Sequence, residues 1–433
     1  MASNIKIAVI GAGSTYTPEL IDGLIRYRDV IPVGTLALMD LYRWRLETVG
    51  GMAERMLAQA AYPADVILTT DRRAALSGAD FVITQIRIGG MAARLIDETI
   101  PPRYGVIGQE TVGPGGFAKA LRTVPLMIEI ARDMQQVAPR AWLINFTNPS
   151  GLVAEAVWRH TNVNVVGLCN TPIQMQYDLA AALKVDPAAV ALDYVGLNHL
   201  GFVRGVKVNG QDRMAQALQV TLDMLRREQD PIFAPDLIET LGLIPSYYLS
   251  FFYHHDQALA AQRQAPQTRA ERVQEIEAEL LKLYADPQRV EKPALLAERG
   301  GALYSTAAVS LIADLLQDGD ATHIVNMSNR STLPDLPAEA AIEVPCRVTR
   351  GSIQPLPADP LPPQIAGLIQ AVKSAEMLTI QAAVSGDKRL ALQALLAHPL
   401  VPSYAAARSL LAALLTEHRD YLPQFESPFG VTL

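Results

Sequence analysis

Ile5-Lys6-Ile7-Ala8-Val9-Ile10-Gly11-Ala12-Gly13-Ser14-Thr15-Tyr16-Thr17-Pro18-Glu19 decides the fold of this chain. The run from Ile5 to Ile10 is short and apolar, as a buried strand requires. Glycines at 11 and 13 break it. Thr17-Pro18-Glu19 then opens a helix, with proline and an acidic residue in the first turn where both are favoured. Strand, glycine turn and helix in that order form an anion-binding corner. Glycine lets the backbone turn tightly and approach a pyrophosphate, and the helix N-terminus presents free N–H groups. Position 16, where a third glycine is usual, is Tyr. Asp40 ends the next apolar run, where a carboxylate bonds both ribose hydroxyls of NAD and repels a 2′-phosphate. Gly11, Gly13, Ser14, Thr15 and Asp40 are therefore the expected cofactor residues, with NAD as the cofactor. Arg43 and Arg45 keep NADP open. The plainer alternative is an ordinary glycine turn with Asp40 as a helix cap.

Outward from that corner, short apolar runs alternate with helical spacing. Leu36–Met39, Val66–Leu68, Phe81–Ile86, Trp142–Phe146 and Asn164–Leu168 read as strands, and 17–29, 43–60 and 117–138 as helices. Such alternation implies an α/β fold, a Rossmann-like parallel sheet with helices on both faces. Near residue 170 the pattern changes to mixed α+β. Tyr194–Val208 reads as strand with a turn at Asn209-Gly210. Residues 265–284, 304–317 and 364–417 are helical, and the Pro-rich stretch 351–363 is a surface loop. The chain therefore divides into 1–170, a NAD-binding Rossmann domain, and 171–433, a helix-rich α+β domain.

The composition narrows the function classes. In 433 residues, 50% are hydrophobic and 19% charged, enough apolar surface for a sizeable core. A net charge of −7 without a long basic run argues against nucleic acid as a partner. No secretory signal and no apolar stretch of membrane-spanning length is expected, so the enzyme is read as cytoplasmic and off the membrane. Two cysteines, Cys169 and Cys346, make no disulfide framework.

Several further segments occur in a fixed order. They are Arg87-Ile88-Gly89-Gly90, the run Gly108-Gln109-Glu110-Thr111-Val112-Gly113-Pro114-Gly115-Gly116, and Asn145-Phe146-Thr147-Asn148-Pro149-Ser150-Gly151. Gly167-Leu168-Cys169-Asn170-Thr171-Pro172, Gly196-Leu197-Asn198-His199-Leu200-Gly201, Ile244-Pro245 with Tyr248-Leu249, and Arg299-Gly300-Gly301-Ala302 with Tyr304-Ser305 complete the set. Together with the opening corner, the ordered set resembles the NAD- and divalent-metal-dependent glycoside hydrolases of family 4, especially those acting on 6-phospho-β-glucosides. Ordinary glycosidases use two carboxylates, and the NAD-dependent families are an exception. The resemblance implies oxidation at C3 of the sugar, loss of the C2 proton, elimination of the C1 leaving group, addition of water, and return of the hydride to C3.

Residue roles follow from that resemblance. Cys169 and His199 are implied as metal ligands, with Mn2+ the expected ion, although thiolate–imidazole chemistry alone favours zinc. On their own, the two read as a buried thiol at a strand end and a core histidine. Tyr248 is implied as the base that takes the C2 proton, with Tyr247 the alternative. Asn148 and Asn170 are implied to hold sugar hydroxyls, although a turn and a helix cap explain them too. Arg87 and Arg299 are the candidate clamp for a sugar phosphate, which suits the planar fork of arginine. Glu110 is a candidate general acid or a structural carboxylate of its glycine-rich loop. The expected partners are a phosphorylated disaccharide or aryl glucoside and further copies of the chain, as a homodimer or homotetramer. Unphosphorylated or α-linked glycosides are the alternative substrates, and a 2-hydroxy-acid dehydrogenase is the alternative enzyme.

Overall fold

A computed structural model describes residues 4–300 and 303–426. Six strands come first: β1 (Ile5–Ile10), β2 (Val33–Met39), β3 (Asp65–Thr69), β4 (Phe81–Thr84), β5 (Trp142–Asn145) and β6 (Asn164–Gly167). They lie parallel in the order β3-β2-β1-β4-β5-β6. The order reverses between β1 and β4, which opens a crevice beyond their carboxyl ends where such sheets bind ligands. Both faces are covered, which explains why β1 is apolar from Ile7 to Ile10. Ile7 and Val9 join one buried cluster, and Ala8 and Ile10 join another.

The second half begins with β7 (Val190–Leu197), β8 (Leu200–Val208), the two-residue β9 (Gln211–Asp212) and β10 (Ile244–Pro245), a small antiparallel sheet. Asn209-Gly210 does turn the chain, with both residues at positive φ, but it leads only into β9. The tighter hairpin turn lies at Asn198-His199, between β7 and β8. Then β11 (Ala321–Ser328), β12 (Ala341–Thr349) and β13 (Ser352–Pro355) extend the first sheet antiparallel from the edge of β6, giving nine strands among the described residues. The division at residue 170 is thus crossed by a continuous sheet. Its junction is one register pair, Asn326 opposite Gly167.

Two expectations change. The Pro-rich stretch is not loop throughout, because Ser352–Pro355 pairs with β12 at the sheet edge, where proline's missing donor costs least. The helix expected at 117–138 begins earlier, at Gly113. Its glycines fit close packing, since a Cβ at Gly115 would stand 2.2 Å from the Gln109 carbonyl oxygen. The helices Pro363–Ser385, Lys388–Ala397 and Tyr404–Glu417 pack with Gly113–Val137 in a separate apolar cluster. Among the described residues, no helix is long and apolar enough to cross a membrane.

Candidate active site

The turn after β1 is built as the sequence implies. Gly11 has φ of 90°, and a Cβ there would lie 2.9 Å from the Gln85 carbonyl oxygen. Gly13 is required for a different reason. A Cβ there would lie 2.7 Å from the carboxylate of Asp40, whose Oδ2 accepts from the Gly13 N–H at 2.9 Å. Asp40 therefore sets the turn as well as ending β2. Arg45 donates to the Gly13 carbonyl at 3.0 Å and lies 3.5 Å from Glu277, while Arg43 is exposed beside Glu47. Ser14 lines the cleft, but Thr15 turns inward: it is fully buried and faces Glu277 at 3.4 Å. Tyr16, in the third-glycine position, carries the Arg299 guanidinium 5.0 Å above its ring.

A cleft of about 1020 Å³ runs from this turn across the crevice. Gly11, Gly13, Asp40, Arg87, Glu110, Asn148, Asn170, His199, Tyr248 and Arg299 all line it. Cys169 lies just past the end of β6, buried, and accepts from the Thr171 N–H at 3.4 Å. His199 sits at the hairpin tip with φ of 63°. Among the described residues its Nδ1 is buried without a partner, and so is Oδ1 of Asn148. Burial and the Lys119 charge push the His199 pKa down to about 3, leaving a neutral imidazole able to ligate a cation. Burial, then the Glu343 carboxylate, pushes the Cys169 thiol up to about 12, so binding there must displace its proton. Among the described residues no group of three or more His, Cys, Asp or Glu is placed to hold a metal. Cys169, which does not itself line the cleft, and His199 could not fill an ion's shell alone, so an ion held by them would take its other ligands from substrate and water. The Tyr248 ring lies 4.2 Å from the His199 ring. Burial, then Tyr247 and Cys169, holds the Tyr248 phenol well above its usual pKa, so it needs a cation beside it to ionise.

Glu110 is held as an anion. Burial raises its carboxyl, but Arg87, Lys119 and Arg94 outweigh that and keep it well below the usual carboxylate range. Lys119 approaches to 2.7 Å and Arg94 to 3.3 Å, and Arg87 bonds it directly. A general acid must carry a proton, so this setting favours the structural reading of Glu110. Arg87 and Arg299 both enter the cleft, but each is already tied to a carboxylate, Arg87 to Glu110 and Arg299 to Glu277 at 2.8 Å.

The model of the family 4 glycosyl hydrolases matches residues 6–185, and the model of their C-terminal domain matches residues 194–401. The chain belongs to the family 4 glycosyl hydrolases. It is 42% identical to a probable 6-phospho-β-glucosidase of Bacillus subtilis, over 98% of this chain and 99% of the relative. It is 37% identical to a 6-phospho-β-glucosidase of Escherichia coli, over 98% of each. The solved 6-phospho-β-glucosidase of Thermotoga maritima, with NAD and glucose-6-phosphate, superposes with a TM-score of 0.90 at 35% identity, over 97% of this chain and 99% of that one. The same Thermotoga enzyme is also solved with manganese, NAD+ and glucose-6-phosphate. The 2-hydroxy-acid dehydrogenase alternative is overturned by family membership.

What sequence reasoning missed in this glycosyl hydrolase is the polar support behind the site. Asn198 Oδ1 accepts from the Ser150 N–H at 2.9 Å and so caps the helix Ser150–His160 from a distant segment. Lys119, which burial pushes down to about 7, and Arg94 complete the setting of Glu110. Glu277 joins Arg45 to Arg299. Asn198 and Ser150 lie 48 residues apart and Arg45 and Glu277 lie 232 apart, so no local pattern could have paired them. Gly301 and Ala302 of the quoted motif lie outside the described residues.

Proposed function

We propose that this family 4 glycosyl hydrolase cleaves 6-phospho-β-glucosides by reversible oxidation and elimination, using NAD and a divalent cation such as Mn2+. The observation that carries the reading is one cleft with two kinds of lining. A dinucleotide corner stands at one end, and at the other the buried His199 Nδ1 and Asn148 Oδ1 have no partner among the described residues. Bound there, NAD supplies a hydride acceptor for the sugar C3 and the cation supplies charge stabilisation next to C2.

The chain's own residues do the rest. Asp40 orients the ribose through its carboxylate and disfavours a 2′-phosphate. Gly11, Gly13 and Ser14 admit the pyrophosphate to the helix N-terminus, and Thr15 fixes the turn from beneath. Cys169 and His199 hold the cation, and Asn148 and Asn170 orient sugar hydroxyls. Tyr248 takes the C2 proton on its phenolate oxygen, with Tyr247 as the alternative. Arg87 and Arg299 meet the 6-phosphate with guanidinium edges that Glu110 and Glu277 orient. Glu110 serves as an anion. Cys169 and Cys346 are free, which suits a reducing cytoplasm for a thiolate ligand.

The test is hydrolysis of an aryl β-glucoside 6-phosphate with and without NAD and Mn2+. Turnover should require both, with no net NADH formed. Equal rates after both are removed would overturn the reading.

A further inference from the structure

Glu343 lies on β12, outside the cleft, and is fully buried. Among the described residues no cationic side chain is bonded to it. Its Oε1 accepts from Asn326 Nδ2 at 2.8 Å and from Asn198 Nδ2 at 3.3 Å, and its Oε2 accepts from the Tyr194 hydroxyl at 3.0 Å. A carboxyl in this setting carries a large desolvation penalty, so the surrounding structure must hold it for a reason. Each partner leads toward the proposed cation site. Asn198 precedes His199 at the hairpin tip, and its Oδ1 fixes the N–H of Ser150, two residues after Asn148. Asn326 donates to the Gly167 carbonyl at 3.3 Å, two residues before Cys169. Tyr194 belongs to the strand that enters the hairpin.

The space is also closed. A Cβ at Gly151 would lie 2.8 Å from Asn326 Oδ1 and 3.0 Å from Asn198, and one at Gly167 would lie 2.9 Å from Asn326. Three chain segments therefore converge on one carboxyl: the Asn148 turn, the Cys169 strand end and the His199 turn. We propose that Glu343 is a positioning residue that fixes Cys169 and His199 relative to each other through Asn326 and Asn198. It acts from behind the ligands, as the supports of metal-bound histidines do. Loss of such a support weakens metal binding while leaving the ligands themselves intact.

This inference rests on the Cys169–His199 cation reading, and the experiment separates the two. Mn2+ binding is measured by electron paramagnetic resonance of free Mn2+, and the Co2+-loaded protein is read through its thiolate absorption band. Cys169→Ala should lose the band and the Mn2+ site. If it binds Mn2+ as the wild type does, the ligand reading itself fails. Glu343→Gln keeps the size of the side chain and one acceptor. It should weaken Mn2+ binding about 10–100-fold and alter the Co2+ band, with NAD affinity unchanged. Asn198→Ala should weaken it to a similar degree, and the double variant should lose little more, because both act along one path. If Glu343→Gln does not fold, Tyr194→Phe reads the same support with a smaller loss of Mn2+ affinity. Wild-type Mn2+ affinity and an unaltered Co2+ band in the folded Glu343 variant, or in Tyr194→Phe where that replaces it, would overturn the proposal. So would fully additive losses in the double variant.

Discussion

The two ends of the cleft are built on opposite plans. At the nucleotide end the polar groups satisfy one another: Asp40 holds the Gly13 N–H, and Arg45 holds the Gly13 carbonyl and faces Glu277. That end is a finished socket before any ligand arrives. At the other end, His199 Nδ1 and Asn148 Oδ1 are buried and unpartnered among the described residues. A buried polar atom without a partner costs about 1–3 kcal/mol, so an ion, a ligand or a water that met these two would lower the free energy of this end. The first end should thus tolerate loss of Cys169 or His199, because its turn is held by Asp40, Arg45 and Glu277. The second is where chemistry is concentrated, and small changes there should cost most.

The comparison breaks most visibly at the thiol. Cys169→Ala or His199→Ala should abolish hydrolysis, while NAD affinity, measured by calorimetry, stays at the wild-type value. Retained hydrolysis that still needs the cation would remove the pair from the proposed ligand set. Loss of NAD binding in either variant would show that the two ends are not independent.

A smaller loss is expected at the base. Tyr248→Phe keeps the ring against His199 but deletes the hydroxyl, so turnover should fall about 10²–10⁴-fold, the usual contribution of a positioned acid or base. Tyr247 is 48% exposed, and Tyr247→Phe should lose far less. In heavy water the wild-type product should gain deuterium at C2, read by mass spectrometry. Full activity of Tyr248→Phe together with no C2 exchange would sink the oxidation–elimination scheme, even for a chain that binds NAD.

The same contrast explains what could be read from sequence. The nucleotide corner is contiguous: strand, turn and helix fall within residues 5–26, and Asp40 ends the adjacent strand. Local periodicity and glycine placement suffice there, although the inward turn of Thr15 depends on Glu277, a partner 262 residues away. The other end depends on long-range contacts. Only the family resemblance joined Cys169 to His199. Nothing in the run around Asn198 shows that it caps a helix near Ser150, because the cap crosses 48 residues. β11 and β12 also escaped the reading. In β12 the apolar Ile342, Val344, Cys346 and Val348 alternate with Glu343, Pro345 and Arg347, but Pro345 inside the run counts against a strand, and in β11 Asn326 interrupts the apolar positions around it.

At the nucleotide end, Asp40→Ala should separate two jobs of one carboxylate. It removes the proposed ribose contact and also the acceptor for the Gly13 N–H. NAD affinity should fall about tenfold, near 1.4 kcal/mol, and the margin over NADP should narrow. A wild-type preference for NADP would refute the assignment of Asp40.

The smallest effect is expected at Arg43, and it decides between the cofactors from the other side. A protein that takes NADP needs a free cation near the ribose 2′-position, and two arginines follow Asp40. Arg45 is committed to the Gly13 carbonyl at 3.0 Å and faces Glu277. Arg43 is exposed, and its one ion pair is with Glu47, at 3.5 Å on the same helix. Such exposed pairs contribute about 0.3–0.5 kcal/mol, so Arg43→Ala should change stability little. It should also leave both cofactor affinities within about two-fold, because solvent and salt screen an unplaced side chain. Arg45→Ala should weaken NAD more, since it frees the carbonyl that helps hold the turn. A large, selective loss of NADP affinity in Arg43→Ala would instead identify Arg43 as a 2′-phosphate contact. The socket would then be less finished than its hydrogen bonds imply, and the contrast between the two ends would rest on the cation site alone.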